Sequence, residues 1–137
     1  MKELVARIDA AACDALLLEV ALEYKPGLVC PSRNGSHADM NCSTFKRSIQ
    51  ALQGYFGECF AAGVQGAEFR TLQRLGLSAE QAMLKATAGV NTHKGAIFLM
   101  GLLAGAAGVQ FREYGCFEPS GLGRLVAAPW GVDILLA

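Results

Sequence analysis

The residues of this sequence best suited to chemistry stand in two polar, glycine-punctuated stretches. One is the turn Asn91-Thr92-His93-Lys94-Gly95, which opens directly onto an apolar run over residues 96–104. A helix that starts there gathers unpaired backbone N–H groups and the positive end of its dipole, and both suit a phosphate. Lys94 adds a point charge, and Gly95 lets a ligand approach the backbone closely. The same residues also describe a plain helix start, with Thr92 as the capping hydroxyl, His93 as a turn residue and Lys94 in solvent. The other stretch is Asn34-Gly35-Ser36-His37-Ala38-Asp39-Met40. His37 or Asp39 can take a proton from a hydroxyl there, and Asp39 can instead hold Mg²⁺ between phosphate oxygens. On the local residues alone the plainer reading, an Asn-Gly turn with Asp39 or Asn41 capping the next helix, fits better. Lys25-Pro26-Gly27 aims a lysine from a rigid turn, with Glu19 just upstream; read plainly, they are a helix stop and an exposed glutamate. A zinc set of Cys30, His37, Cys42 and His93 has the spacing of no standard finger or ribbon. The sequence has no Walker A loop, no G-x-G-x-x-G after a strand and no G-x-S-x-G, which excludes the standard nucleotide folds and the nucleophile elbow.

The elements that must position these groups read as helices. From Leu4 to Leu22 the apolar residues recur at threes and fours, and Lys25-Pro26-Gly27 stops the pattern. A second helix is expected from Ser43 or Thr44 through Phe45, Ile49, Leu52 and Phe56, ending at Gly63 and Gly66. A shorter helix with Phe69, Leu72 and Leu75 should stop at Gly76, and Ser78-Ala79-Glu80-Gln81 matches a capping box that opens another. The helix that begins near Gly95 is apolar all round and is expected to be central, with Gly101 and Gly105 as a close-packing signature. Past Gly108 the pattern is broken by Tyr114-Gly115-Cys116, Pro119-Ser120-Gly121 and Pro129-Trp130-Gly131. Almost nothing alternates with period two, so the expectation is an all-α, single helical bundle-like domain.

Composition narrows the function classes. The chain has 137 residues, one domain's worth, with 12 Lys plus Arg against 12 Asp plus Glu. A formal net charge of +0 points to neither nucleic acid nor an anionic membrane, so any anion site must be local. Hydrophobic residues make up 53% and charged ones 18%, which excludes disorder. The 5 cysteines are odd in number, lie far apart and form no C-x-x-C pair, as expected of reduced thiols. The start, Met1-Lys2-Glu3-Leu4-Val5-Ala6-Arg7, lacks the form of an export signal, and the most apolar stretch falls short of the roughly 20 residues that span a bilayer. A soluble, cytoplasmic protein is the expectation.

Taken in order, Leu18-Glu19-Val20, Lys25-Pro26-Gly27-Leu28-Val29, Gly35-Ser36-His37-Ala38-Asp39-Met40 with Thr44-Phe45, and residues 86–98, Ala-Thr-Ala-Gly-Val-Asn-Thr-His-Lys-Gly-Ala-Ile-Phe, resemble the triphosphoribosyl-dephospho-CoA synthase family. The resemblance covers roughly residues 15 to 108. Cys30-Pro31-Ser32-Arg33 with Gly35-Ser36-His37 looks nearer to the malonate decarboxylase branch than to the citrate lyase branch. Residues 109–137 do not resemble the family's continuation, so the chain is expected to hold residues 1–108 of such a domain, truncated, and an atypical tail.

The resemblance implies a transferase that joins ATP to 3′-dephospho-CoA. The 2′-hydroxyl of dephospho-CoA attacks C1′ of the ATP ribose, adenine leaves, and the product becomes the prosthetic group of an acyl-carrier protein. It implies Mg²⁺, with Asp39 as its ligand, and Glu19, His37 and Asp39 as catalytic candidates. Lys25, Gly27, Asn34, Ser36, Asn91, Thr92, His93, Lys94 and Gly95 are the substrate-binding candidates. Cys30 departs from the pattern, since the family usually carries an acidic residue there. The alternatives are an inactive fragment or a helical interaction module that needs a partner chain and binds no nucleotide; a homo-oligomer or a missing C-terminal half is the expected partnership.

Overall fold

The computed structural model describes residues 1–23, 25–35 and 37–137. Among them the protein is all-α: α1 (Lys2–Ala21), α2 (Cys42–Ala51), α3 (Tyr55–Val64), α4 (Phe69–Ala86), α5 (Lys94–Tyr114), a single 3-10 turn at Pro119–Gly121, and α6 (Leu122–Leu136). The apolar helix is central as its composition dictates, and α3, α4 and α6 pack on α5 while α1 lies across α3 and α2. By length and composition α5 could cross a bilayer, but in this fold it is the core helix.

The most extensive contact, α3 on α5, is made by residues without side chains. A Cβ on Gly63 would collide with the Gly105 carbonyl oxygen, and one on Gly108 with that of Phe60, so the two backbones touch. Tyr55 Oη reaches over Gly101 to donate to the Ile97 carbonyl at 2.9 Å. The Gly101 and Gly105 signature is therefore a packing seam.

Four expectations are corrected. The helix expected from Ser43 to Gly63 is two, because Gly54 turns left-handed (φ 96°). The Asp9 carboxylate of α1 fixes the break, accepting from Gly54 N–H at 2.8 Å and Gly57 N–H at 3.1 Å. Helix α2 begins at Cys42 rather than at Ser43 or Thr44, and Asn41, one of the two caps expected of the loop, caps it: Thr44 N–H donates to Asn41 Oδ1 at 3.0 Å and Asn41 N–H to Thr44 Oγ1 at 3.2 Å. Helix α4 runs unbroken through Gly76 and Ser78, since amphipathic packing on α2, α5 and α6 outweighs the propensity cost of one glycine. The tail is helical despite Pro129: Trp130, 2% exposed, is buried in the bundle and donates Nε1–H to the Ala67 carbonyl at 3.1 Å. Residue 108 falls inside α5.

Candidate functional site

The end of α1, the segment between α1 and α2, the middle of α2 and the start of α5 meet at one corner. The segment is pinned by its buried apolar residues, Val29, Cys30 and Met40. It is closed on itself by Cys30 N–H to the Arg33 carbonyl at 2.8 Å and Arg33 N–H to the Cys30 carbonyl at 3.2 Å. Gly35 is required there: at φ 61° it lies so close to Gly27 and Leu28 that a Cβ would stand 2.5 Å from the Gly27 carbonyl. Between them opens a cleft of about 710 Å³ lined by Lys25, Gly27, Arg33, Asn34 and Gly35. Lys25 sits inside it with its side chain 12% exposed, its Nζ 3.1 Å from Glu19 Oε1 and also against the Glu19 carbonyl oxygen. Ser32 Oγ donates to Glu23 at 2.6 Å, and that bond above all holds the Glu23 carboxyl below its ordinary range.

His93 closes the corner from the α5 side. It is 5% exposed, its Nδ1 lies 2.7 Å from Ser48 Oγ on α2, and its ring meets the Phe45 ring edge-on at 4.9 Å. Thr92 Oγ1 donates to the same Ser48 Oγ at 2.6 Å. Nε2 is buried and has no partner among the described residues. Burial pushes the imidazole below its usual pKa, while the Glu19 carboxylate pulls it back up. The turn that aims His93 is fixed by buried Thr87, whose Oγ1 donates to the Met83 carbonyl at 2.9 Å and to that of Val90 at 2.7 Å. That turn carries Ala88 at φ 55°.

The structure thus gathers Glu19, Lys25, Gly27, Asn34, Thr92 and His93 at this corner. His37 is half-buried, its N–H donating to the Asn34 carbonyl at 3.2 Å, and Asp39 is exposed on the approach to α2. His93, not Thr92, stands at the N-cap of α5, and Asn91 Oδ1 accepts from Lys94 N–H at 3.2 Å. Lys94 turns away, 64% exposed and 3.4 Å from Glu80 Oε1 on α4. It borders a separate apolar groove of about 260 Å³ lined by Tyr55, Leu72, Leu77, Phe98 and Leu102. Gly95 is exposed beside open space. Ser36 lies outside the described residues. Two site residues escape sequence reasoning: Arg33, whose only signal was its place in the loop, and Ser48, which meets His93 from 45 positions away. Cys30, at the position where an acid is usual, is 2% exposed and faces Ser32 Oγ at 3.8 Å. Cys13 and Cys59, pushed up by burial to about 11 and about 12, are inert.

The cleft thus brings two cationic residues, Lys25 and Arg33, to the glycines Gly27 and Gly35, with the Glu19 carboxylate paired to Lys25. Residues 5–125 match the family model CitG, described as ATP:dephospho-CoA triphosphoribosyl transferase. A 2-(5''-triphosphoribosyl)-3'-dephosphocoenzyme-A synthase from Pectobacterium atrosepticum is 50% identical over 107 residues, 74% of this chain and 36% of its own length. One of the same name from Haemophilus ducreyi is 43% identical over 114 residues, 79% of this chain and 35% of its own. A relative from Acinetobacter calcoaceticus, named as a probable such synthase, is 41% identical over 129 residues, 94% of this chain and 44% of its own. The chain therefore spans less than half the length of these relatives. No solved structure matches it. On the family match and these identities, the chain belongs to the ATP:dephospho-CoA triphosphoribosyl transferase family.

Proposed function

We propose that this chain provides the nucleotide-phosphate side of a triphosphoribosyl-dephospho-CoA synthase. The 2′-hydroxyl of 3′-dephospho-CoA would attack C1′ of the ATP ribose and adenine would leave, for the acyl-carrier protein of malonate decarboxylase or citrate lyase. The reading is carried by the cleft that Lys25 and Arg33 line together with Gly27 and Gly35, within the region that matches the family. Lys25 and Arg33 bind phosphate oxygens, and Asn34 and the loop backbone orient them. Glu19 is the carboxylate nearest those phosphates and the candidate base for the hydroxyl, with His37 at the loop's edge. Among the described residues no three His, Cys, Asp or Glu side chains cluster as a metal cage. Mg²⁺ takes one or two carboxylates and completes its shell with phosphates and water, which the lone, exposed Asp39 fits. Held there with ATP, it would neutralise phosphate charge.

The test is calorimetry of the full chain with ATP and Mg²⁺, then with 3′-dephospho-CoA. ATP binding is expected, weakened about tenfold by Lys25→Ala, the loss of one charge-assisted contact worth roughly 1.4 kcal/mol. Lys94→Ala should weaken it less than about twofold, because that lysine is solvated and paired with Glu80. A folded chain that binds neither nucleotide would overturn the reading.

One observation favours a second reading, a helical module that docks another chain. Val132, Leu135 and Leu136 of α6 are 71%, 86% and 80% exposed. Sedimentation that stays monomeric at high concentration would remove self-association from it.

A further inference from the structure

We propose that the face formed by α4, α5 and the outer side of α6 is a two-fold interface with a second copy of this chain. In it the outer α6 stripe of each copy seats in the groove between α4 and α5 of the other.

Helix α6 is the element that lacks a partner. Over Leu122–Leu136 its charged residues are Arg124 and Asp133 alone, so it is apolar on nearly every side. A helix of that kind belongs in an interior, and the fold grants this to α5 by enclosing it. Helix α6 lies at the edge instead. Its inner side, Leu122, Leu125, Val126, Trp130 and Ile134, packs on the core. Its outer side, Val132, Leu135 and Leu136, recurs at i, i+3 and i+4 and stands in solvent. A continuous stripe goes beyond the scattered apolar residues of an ordinary surface.

A groove that suits such a stripe lies on the same face. It runs between α4 and α5, holds about 260 Å³ and is lined by Tyr55, Leu72, Leu77, Phe98 and Leu102, of which Leu77 and Phe98 are exposed. Phe69 and Gln73 of its α4 wall also line a neighbouring cleft of about 610 Å³, which α6 borders through Trp130, Asp133 and Leu136. Ridge and groove therefore adjoin on one patch.

That adjacency selects the occupant. A two-fold contact joins a patch to itself, so the patch must carry both the projecting part and its receptacle. The charges around it meet the same condition. Lys94 and Arg70 border the patch together with Glu80, Glu68 and Asp133, so a second copy finds opposite charge to meet. The formal net charge of +0 adds no repulsion between copies. A membrane surface would instead call for a basic face beside the stripe, and α6 has Arg124 alone.

The inference deepens the docking reading by naming the partner, and it is independent of the nucleotide cleft, which calorimetry decides. Sedimentation equilibrium of the full chain over a range of concentrations tests it. The mass should rise from one chain to two and stop there, because a two-fold contact closes. Leu135→Glu on the stripe and Phe98→Glu on the groove wall should each weaken association about tenfold or more, since every substitution enters the interface twice. Leu18→Glu, at an exposed position of α1, should leave it unchanged. Circular dichroism shows which variants fold, and Leu77→Glu on the same wall replaces Phe98→Glu if that one does not. An equimolar mixture of the stripe and groove variants should associate more strongly than either alone, because one intact stripe then meets one intact groove. A chain that stays monomeric overturns the second copy, and a different protein captured on the face would then keep the docking reading while this inference falls. Masses that climb beyond two chains, or a dimer indifferent to the Leu135 and Phe98 substitutions, overturn it as well.

Discussion

The seam between α3 and α5 and the corner around Lys25 and His93 are built on opposite terms. The seam is held by missing atoms: Gly63, Gly105 and Gly108 bring two backbones into contact, and nothing there can turn aside. The corner is held by a few polar side chains, Glu19, Lys25, Ser48, Thr92 and His93, joined by hydrogen bonds and one ion pair, with a ring nitrogen of His93 that has no partner among the described residues. A scaffold that cannot yield beside a site that can rearrange is what ligand capture without loss of fold requires. The sharpest way to break that contrast is Gly63→Ala. The added methyl meets the Gly105 carbonyl, a backbone atom that moves only with its helix, and the expected loss is about 3 kcal/mol, at the upper end for overpacking. Chemical denaturation should show a lower midpoint at unchanged slope.

At the corner the comparable measurement is pH. Burial lowers the His93 pKa in the folded state, so the unfolded chain binds this proton more readily. Stability is therefore complete above the unfolded value of about 6.5 and falls as pH drops through it. The slope is at most about 1.4 kcal/mol per pH unit for one proton. Denaturation midpoints between pH 7.5 and 5.5 should show the decline, and His93→Gln should flatten it. An equal slope in that variant would assign the effect to other groups.

Legibility in the sequence divides along the same line. Where one helix face decides, as for α1, apolar spacing was sufficient; for α5 a run apolar all round was, and Gly101 with Gly105 announced the seam. Where a distant residue decides, spacing misled. The apolar rhythm of Leu52 and Phe56 runs straight across the α2–α3 break, because the break is fixed by Asp9 on another helix. Ser78-Ala79-Glu80-Gln81 has the form of a capping box yet lies mid-helix, since tertiary packing carries α4 past Gly76. Trp130 anchors a helix whose Pro129 and Gly131 argue locally against one. In the site, the loop and the α5 turn were legible as polar stretches between apolar ones. Their pairing was not: Lys25 faces inward and Lys94 outward, and Ser48 belongs to the site only because α2 carries it there.

The smallest expected effect sharpens the comparison further, because it sets one glycine against another. Gly95 begins α5 with nothing within 4 Å of an added Cβ, the reverse of Gly63. Gly95→Ala should therefore raise stability by about 0.5 kcal/mol, through reduced freedom of the unfolded chain and better helix propensity. Its effect on ATP binding carries the information. Were a phosphate to settle on the first N–H groups of α5, the methyl would stand in its path, and affinity would fall while stability rises. With Lys94 turned toward Glu80 and Lys25 lining the loop cleft, affinity should instead stay within about twofold of the parent. Calorimetry beside a thermal melt of the same variant separates the two. A gain in stability with a large loss of ATP affinity would move the phosphate from the Lys25 cleft to the helix start, and unchanged affinity would leave the open glycine as a helix residue only.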